Sequence, residues 1–264
     1  MTKTPTTTVA EFDTEMKTKG WFLFHDVVDQ ALVKELKADL DQAYENRRAI
    51  QIKNGVDANT GGTAHHLLAD GKSFVELLKR AYLDEYIRSF FGGNYILNTY
   101  GGNMNMRKQF NYASLVHRDV RTYTEEIKFL LNIIVTLDDF TLDNGATYLY
   151  SGSHLKRDKP SDEEFFAKAE RCVAKGGSIV LWDANIWHAA GENKTDQPRR
   201  SLSLIYSQPF MKQQFDYPRS IGYENANSFS EIFRQIVGFN ARVPASLEEW
   251  YQPPATRFYK KDQG

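Results

Sequence analysis

Apolar residues recur every three to four positions in the first part of the chain, which is typical of amphipathic helices. This spacing predicts a helix over residues 9–19, another over 31–48, and helical structure over 73–91. A short β run begins at Trp21, between the first two helices. Residues 52–71 are polar and contain glycine, so we expect a long loop there, of the kind that is often functional.

From residue 94 onward the pattern changes to short apolar and β-branched runs, separated by turn signals such as Asn144-Gly145 and Gly176-Gly177. These runs predict strands over residues 95–107, 127–137, 146–150, 178–182 and 199–207. Helical spacing returns over residues 228–237 and 246–251. Several short strands at such spacing favour a mainly β (α+β) fold, a sandwich or jelly roll, with the N-terminal and C-terminal helices packed on one sheet.

The chain contains no internal repeat, low-complexity tract or linker, which predicts a single domain over residues 1–264. We expect a mainly helical part over 1–93, a β core over 94–210 and a helical C-terminal extension over 211–264. Apolar residues make up 41% and charged residues 25%, the proportions of a soluble globular protein.

Charge and hydropathy narrow the range of partners. The net charge of -1 predicts no attraction to nucleic acid or to an anionic membrane. We expect no signal peptide, and no apolar run is long enough to cross a bilayer. The one cysteine, Cys172, cannot form an internal disulfide, so we expect a structural thiol and a cytoplasmic location. The oligomeric state is left open.

Candidate chemistry begins with VHRDV, which places His117 and Asp119 two positions apart. In extended backbone alternate side chains point the same way, so both can reach one metal ion. His188, 71 residues later (188 minus 117), is the best candidate for a third ligand. Two imidazoles and one carboxylate leave coordination positions open, which suits non-haem Fe(II), O2 and a chelating oxo-acid such as 2-oxoglutarate.

An oxo-acid of this kind needs a cation for its distal carboxylate, and arginine binds a carboxylate through two hydrogen bonds. Arg199 follows His188 by eleven residues (199 minus 188) and opens a predicted strand. Strand alternation puts Arg199 on the face of Ser201 and Ser203, and Arg200 on the opposite, leucine-bearing face. We therefore expect Arg199 to face a polar pocket and Arg200 to face away from it.

The other histidines are less informative. His154 lies in a turn and His25 follows an apolar run, and both are expected to be structural. His65 and His66 lie in the predicted long loop. Such residues are usually solvated, although a mobile loop can also form a lid that contacts substrate.

Four blocks of the sequence resemble the phytanoyl-CoA dioxygenase family of Fe(II)/2-oxoglutarate oxygenases. They are HRD at 117–119, LDDFTLDNGATYLYSGSH at 137–154, GGSIVLWD at 176–183 and HAAGENKTDQPRRSLS at 188–203. Weaker similarity extends back to about residue 103. Two positions depart from the family pattern: Ser151 replaces a proline, and Ser114 stands where several members carry Gln, three residues before the first ligand.

The resemblance implies a double-stranded β-helix (jelly roll) with iron bound by His117, Asp119 and His188. It further implies that Arg199 anchors the C5 carboxylate of 2-oxoglutarate and that Thr147 adds its hydroxyl. Asn105 stands where relatives often contact the other end of the co-substrate. The group that replaces the Gln contact at Ser114 is left open.

The activity implied by the resemblance is hydroxylation of a small molecule, with 2-oxoglutarate converted to succinate and CO2. Halogenating relatives carry a small residue in place of the carboxylate, so Asp119 favours hydroxylation or another oxidation. The alternatives are a catalytically inactive β-roll protein that binds a small molecule or sugar, and a metal-dependent cupin-like isomerase. The retained ligand set and Arg199 argue against the first alternative. Arg199 also argues against the second, because an isomerase of this kind needs no carboxylate anchor. The substrate is open among acyl-CoAs, amino acids, phosphonates, sugars and secondary metabolites.

Overall fold

Nine strands and eight helices follow one another in the computed structural model, which describes residues 5–109 and 112–257. The helices are α1 (Val9–Thr18), α2 (Gln30–Lys53), α3 (Lys72–Lys79), α4 (Asp84–Phe91), α5 (Asp162–Lys168), α6 (Tyr217–Ile221), α7 (Glu231–Val237) and α8 (Leu247–Trp250). The strands are β1 (Trp21–Phe24), β2 (Thr63–His65), β3 (Ile96–Asn105), β4 (Leu130–Thr136), β5 (Tyr148–Leu149), β6 (Glu170–Arg171), β7 (Ile179–Asp183), β8 (His188–Ala189) and β9 (Arg199–Ser207).

The strands form two antiparallel sheets. The larger has the order β1-β7-β4-β9-β3-β2, and the smaller has the order β6-β5-β8. The N-terminal part, predicted to be mainly helical, therefore supplies both edge strands of the larger sheet. The predicted combination of antiparallel sheets with packed helices is confirmed.

The first two helices begin where the sequence supplies a capping side chain. Thr8 and Glu11 form a reciprocal capping box at the start of α1, and Asp29 accepts the backbone N–H of Leu32 at the start of α2. Leu32, Leu36 and the next leucine of the repeat, Leu40, lie on one face of α2 and are at most 2% exposed. The predicted four-residue repeat is therefore the face that packs on the sheet.

The two faces of the larger sheet pack against different layers. Ile133 of β4 and Leu204 of β9 lie in the same apolar cluster as the helices. On the other face Val180 and Trp182 of β7 pack with Leu149 of the smaller sheet. The helices thus cover the outer face, and the smaller sheet covers the inner face.

Two predictions about the N-terminal part are wrong in detail. The expected loop over 52–71 contains β2, whose Ala64 pairs with Gly102 and packs in the core. The expected helix over 73–91 is divided, because Ala81 and Leu83 adopt left-handed backbone with φ of 44° and 63°. Strands β6 and β8 were not predicted, since two residues give no periodic signal. None of the helices in the described residues is long and apolar enough to span a membrane.

The α2 contact with the sheet can be tested by truncating one leucine. Leu36 is fully buried, so Leu36→Ala is expected to lower the free energy of unfolding by about 2–5 kcal/mol through lost contacts and a residual cavity. Urea denaturation measures this change. The control Leu247→Ala, at a leucine that is 69% exposed, should change it by less than about 0.5 kcal/mol. Equal effects would contradict the assigned packing.

Candidate metal centre

A backbone bridge brings the two predicted ligand segments together. The N–H of His117 donates to the carbonyl of His188 at 3.1 Å, and the N–H of His188 donates back at 2.9 Å. His188 begins β8 in the smaller sheet, so the segment with His117 and Asp119 lies directly beside that strand. The structure thus places all three predicted ligands in one location.

The three side chains converge to metal-binding distances. One ligand atom from each of His117, Asp119 and His188 lies within 4.8 Å of the other two. The Nε2 atoms of His188 and His117 lie 3.4 and 3.7 Å from the carboxylate oxygens of Asp119. In the described parts of the chain, no other group of three His, Cys, Asp or Glu side chains is gathered in this way.

Backbone carbonyls orient both imidazoles. Nδ1 of His117 lies 2.7 Å from the carbonyl oxygen of Leu115, and Nδ1 of His188 lies 3.0 Å from that of Ile186. A proton on each Nδ1 is held by its carbonyl, which leaves the Nε2 lone pair of each ring directed at the shared point beside Asp119. Both histidines are therefore set in the tautomer that a metal ligand requires.

Burial also fixes the charge of His188. Its side chain is 8% exposed, and this burial lowers its pKa to about 4, against the smaller opposing effect of Asp119. The imidazole is therefore neutral at pH 7, the form that binds metal ions.

Two supporting residues were missed by the sequence analysis. The side-chain amide of Asn132 on β4 donates to the Asp119 carboxylate, and the Trp182 ring lies 5.0 Å from the His188 ring, centroid to centroid. The position of Asn132 could have been noticed, because it is a polar residue in the middle of the apolar run FLLNIIV, but its contact with Asp119 depends on tertiary structure. Side chains that orient metal ligands in this way commonly tune metal affinity.

Arg199 is a buried cation on the inner face. It is 2% exposed, and burial lowers its pKa to about 9, so it stays charged at neutral pH. One Nη atom donates to the Gly145 carbonyl, the guanidinium lies 4.0 Å from the centroid of the Phe140 ring, and Nε has no hydrogen-bond partner in the described residues. A buried cation without a carboxylate partner is costly, which fits a site completed by an anionic ligand.

Asn105 lies beside this arginine in the larger sheet. Asn105 pairs with Arg199 across β3 and β9, and its Nδ2 donates to the carbonyl of Gly191 at 2.9 Å. Gly145 has a φ of +82°, and a Cβ there would collide with the Gly191 carbonyl and the Asn105 amide, so this turn requires glycine. Thr147 is 4% exposed and follows two residues later.

Arg200 points to the opposite face of β9. Its Nε donates to Asp41 on α2 at 2.7 Å, and one Nη atom lies 3.4 Å from an Asp138 carboxylate oxygen. The predicted opposite orientation of the two arginines is confirmed.

The remaining histidines lie outside the cluster. His154 is buried with Nε2 3.2 Å from the Lys17 carbonyl oxygen, in keeping with its predicted structural role, and His25 is exposed. His65 ends β2 and His66 follows it, so they do not belong to an unstructured loop as expected. Cys172 is buried, and burial raises the pKa of its thiol to about 12, which makes it inert as a nucleophile.

Solved structures share this fold. The non-heme alpha-ketoglutarate-dependent epimerase SnoN from nogalamycin biosynthesis matches with a TM-score of 0.59 at 18% identity, over 75% of this chain and 80% of SnoN. EctD from S. alaskensis, solved with bound Fe, matches with a TM-score of 0.59 at 20% identity, over 78% and 79%. The likeness shows that the chain shares the fold of these two proteins.

Relatives found by sequence have a higher identity to this chain than these solved structures have. An uncharacterised protein of Mycobacterium tuberculosis is 36% identical over 153 residues, which cover 58% of this chain and 56% of the relative. Dioxygenase cdmA of Talaromyces verruculosus is 26% identical over 250 residues, which cover 86% and 82%. The match thus spans little more than half the length of the mycobacterial relative.

Residues 16–201 match the phytanoyl-CoA dioxygenase (PhyH) family. This match covers more than half of the chain, and the chain therefore belongs to the phytanoyl-CoA dioxygenase family. The family predicted from the sequence is confirmed.

The role of Asn132 can be tested through metal affinity. Asn132→Ala is expected to weaken Fe(II) binding by about 10–100-fold, because the Asp119 carboxylate loses the donor that holds it. Anaerobic calorimetric titration measures the affinity. The control Asn98→Ala removes another buried amide, which donates to the Lys212 carbonyl, and should leave Fe(II) binding unchanged. Equal losses in both variants would show a general effect on folding.

Proposed function

We propose that the protein is an Fe(II)- and 2-oxoglutarate-dependent dioxygenase that oxidises a C–H bond of a small molecule and releases succinate and CO2. One observation carries this proposal: two carbonyl-oriented imidazoles and a carboxylate converge on one point, and the buried Arg199 on the same inner face forms no ion pair with any carboxylate of residues 5–109 and 112–257. Family membership supports it, as does the shared fold with SnoN, an alpha-ketoglutarate-dependent epimerase, and with EctD, which was solved with bound Fe.

The donor set suits Fe(II). His117 and His188 would each supply Nε2, and Asp119 one carboxylate oxygen, which leaves coordination positions for a chelating co-substrate and O2. When bound, iron would supply the redox chemistry that couples O2 reduction to oxidative decarboxylation of 2-oxoglutarate. Asp119 stands where halogenating relatives have a small residue, so hydroxylation is the proposed outcome.

The chain's own residues bind and orient the co-substrate. Arg199 would pair with the distal carboxylate of 2-oxoglutarate through Nε and an Nη atom, which removes the cost of a buried, unpaired cation. Thr147 would donate its hydroxyl to the same carboxylate. One side-chain N–H of Asn105 donates to the Gly191 carbonyl, and the second would donate to the other end of the co-substrate.

We also propose that the two facing sheets form a double-stranded β-helix within a single domain. The sharing of the larger sheet by N-terminal and central strands supports one domain. A cytoplasmic location remains a prediction based on the lone cysteine. The proposed partner is the small-molecule substrate. That the protein has no nucleic acid or membrane partner remains a prediction from the net charge.

The proposed activity is tested by incubating the protein with Fe(II), ascorbate, O2 and 2-oxoglutarate and measuring succinate. We expect slow succinate formation that a suitable substrate accelerates. Asp119→Ala should abolish it, because this change removes the anionic ligand, whereas Asp143→Ala at an exposed aspartate should not. No 2-oxoglutarate binding and no succinate across a broad substrate panel would instead favour the inactive β-roll binding protein.

The two adjacent arginines provide a matched pair for the co-substrate site. Arg199→Ala is expected to weaken 2-oxoglutarate binding by roughly 2–4 kcal/mol, since one partner of a buried charge pair is lost. Arg200→Ala removes contacts to Asp41 and Asp138 on the opposite face and should leave the dissociation constant unchanged, although it should lower stability. Calorimetric titration with 2-oxoglutarate distinguishes them. A larger binding loss in Arg200→Ala would overturn the assigned strand faces.

A further inference from the structure

Four ring side chains gather at the free edge of the larger sheet. Nε2 of His65 lies 3.3 Å from the hydroxyl of Tyr112, and the His66 ring stacks on Phe215 with centroids 4.5 Å apart and planes 15° apart. The His65 and His66 rings are 6.2 Å apart, so the two pairs form one surface. We call Tyr112, His65, His66 and Phe215 the ring wall.

Arg47 and Asp70 fix the backbone of the two histidines in the ring wall. Arg47 of α2 donates to the carbonyls of His65 and His66 at 2.8 and 3.0 Å, and it forms a two-point ion pair with Asp70. Nδ1 of His66 also lies 3.2 Å from the hydroxyl of the buried Tyr217. These contacts stabilise the left-handed backbone of His66, at a φ of 57°, so the rings are preorganised.

Tyr112 and His65 form the end of the ring wall that lies towards the metal centre. The short helical turn Tyr112–Ser114 is fixed to the segment after β8, because the Ala190 N–H donates to the Ala113 carbonyl at 2.7 Å. Leu115, one residue beyond that turn, is the carbonyl partner of His117. On β2, Ala64 faces the helices, so strand alternation puts His65 on the inner side that also carries the metal centre.

The chemistry of the ring wall is aromatic and uncharged. Tyr112 is 47% exposed and Phe215 is 38% exposed, so both present ring surface to a ligand. Burial lowers the pKa of His65, and that of His66 to about 4, so both imidazoles are neutral at pH 7. Arg47, the cation behind them, is already paired with Asp70.

We propose that the ring wall binds the substrate and selects an uncharged, ring-bearing molecule with a hydroxyl or carbonyl group over an anionic one. A substrate ring stacks beside His66 and Phe215, and its oxygen exchanges a hydrogen bond with Tyr112 and His65. This inference rests on the proposed function, and it disfavours acyl-CoAs and phosphonates among the substrate classes that the sequence leaves open.

The test uses a matched pair of fluorescent probes, 2-naphthol and the anionic 2-naphthoate. The full-length protein is loaded anaerobically with Fe(II) and saturating 2-oxoglutarate, which keeps a carboxylate probe out of the co-substrate site. We expect 2-naphthol to bind at least about tenfold more tightly, a difference of about 1.4 kcal/mol. Tyr112→Phe and Phe215→Ala should each weaken 2-naphthol binding by about fivefold, the scale of one hydrogen bond or one aromatic contact.

Matched controls are available at exposed rings outside the wall. Tyr251→Phe and Phe210→Ala change side chains that are 77% and 74% exposed, and both should leave 2-naphthol binding unchanged. No 2-naphthol binding, equal or tighter binding of 2-naphthoate, or unaffected binding in both wall variants would overturn the proposal. Titration of the same samples with 2-oxoglutarate separates the two proposals. If 2-oxoglutarate still binds, only the ring wall assignment fails, whereas loss of that binding counts against the proposed function.

Discussion

The candidate site depends on one constraint, the pair of backbone hydrogen bonds between His117 and His188. These residues are 71 positions apart (188 minus 117), and fixing them side by side costs conformational entropy that local contacts alone could not offset. His188 also belongs to β8, which pairs with β5, so the hydrogen bonds of the smaller sheet offset part of this entropy cost. It also positions the carbonyls of Leu115 and Ile186, which orient the two rings.

The two faces of the larger sheet have different roles: the face covered by helices stabilises the fold, and the inner face carries the candidate site. On β9, Leu202 and Leu204 pack with the helices, whereas Ser201 and Arg199 lie on the inner face. An interior that holds a buried guanidinium and a cluster of ligands loses stability there, and the apolar layer beneath the helices offsets the loss. The helical layer thus allows the inner face to remain polar.

The length of each sequence pattern determines how much of the fold could be predicted from it. Strand β9 has the predicted bounds, because nine residues of alternating pattern define both the strand and the two arginine faces. Strands β2, β6 and β8 have two or three residues and carry no such pattern. The three ligands could be predicted because the family motif records them.

The supporting residues could not be predicted in the same way. Asn132 acts through a contact with Asp119, and Tyr112 through a contact with His65 across 47 residues, so neither role is written in local sequence. His65 and His66 were recognised as candidates, but a polar, glycine-bearing segment gave no sign of the strand that ends at His65. Contacts of this kind depend on tertiary structure, which a one-dimensional pattern does not contain.

The edge position of β1 has a consequence for folding during synthesis. Trp21 of β1 pairs with Trp182, so β1 cannot pair until 161 further residues have been synthesised (182 minus 21). Pairing of such long range predicts slow folding and a period in which the apolar WFLF segment lies exposed. We expect the nascent chain to need protection by chaperones until β7 emerges and pairs with β1.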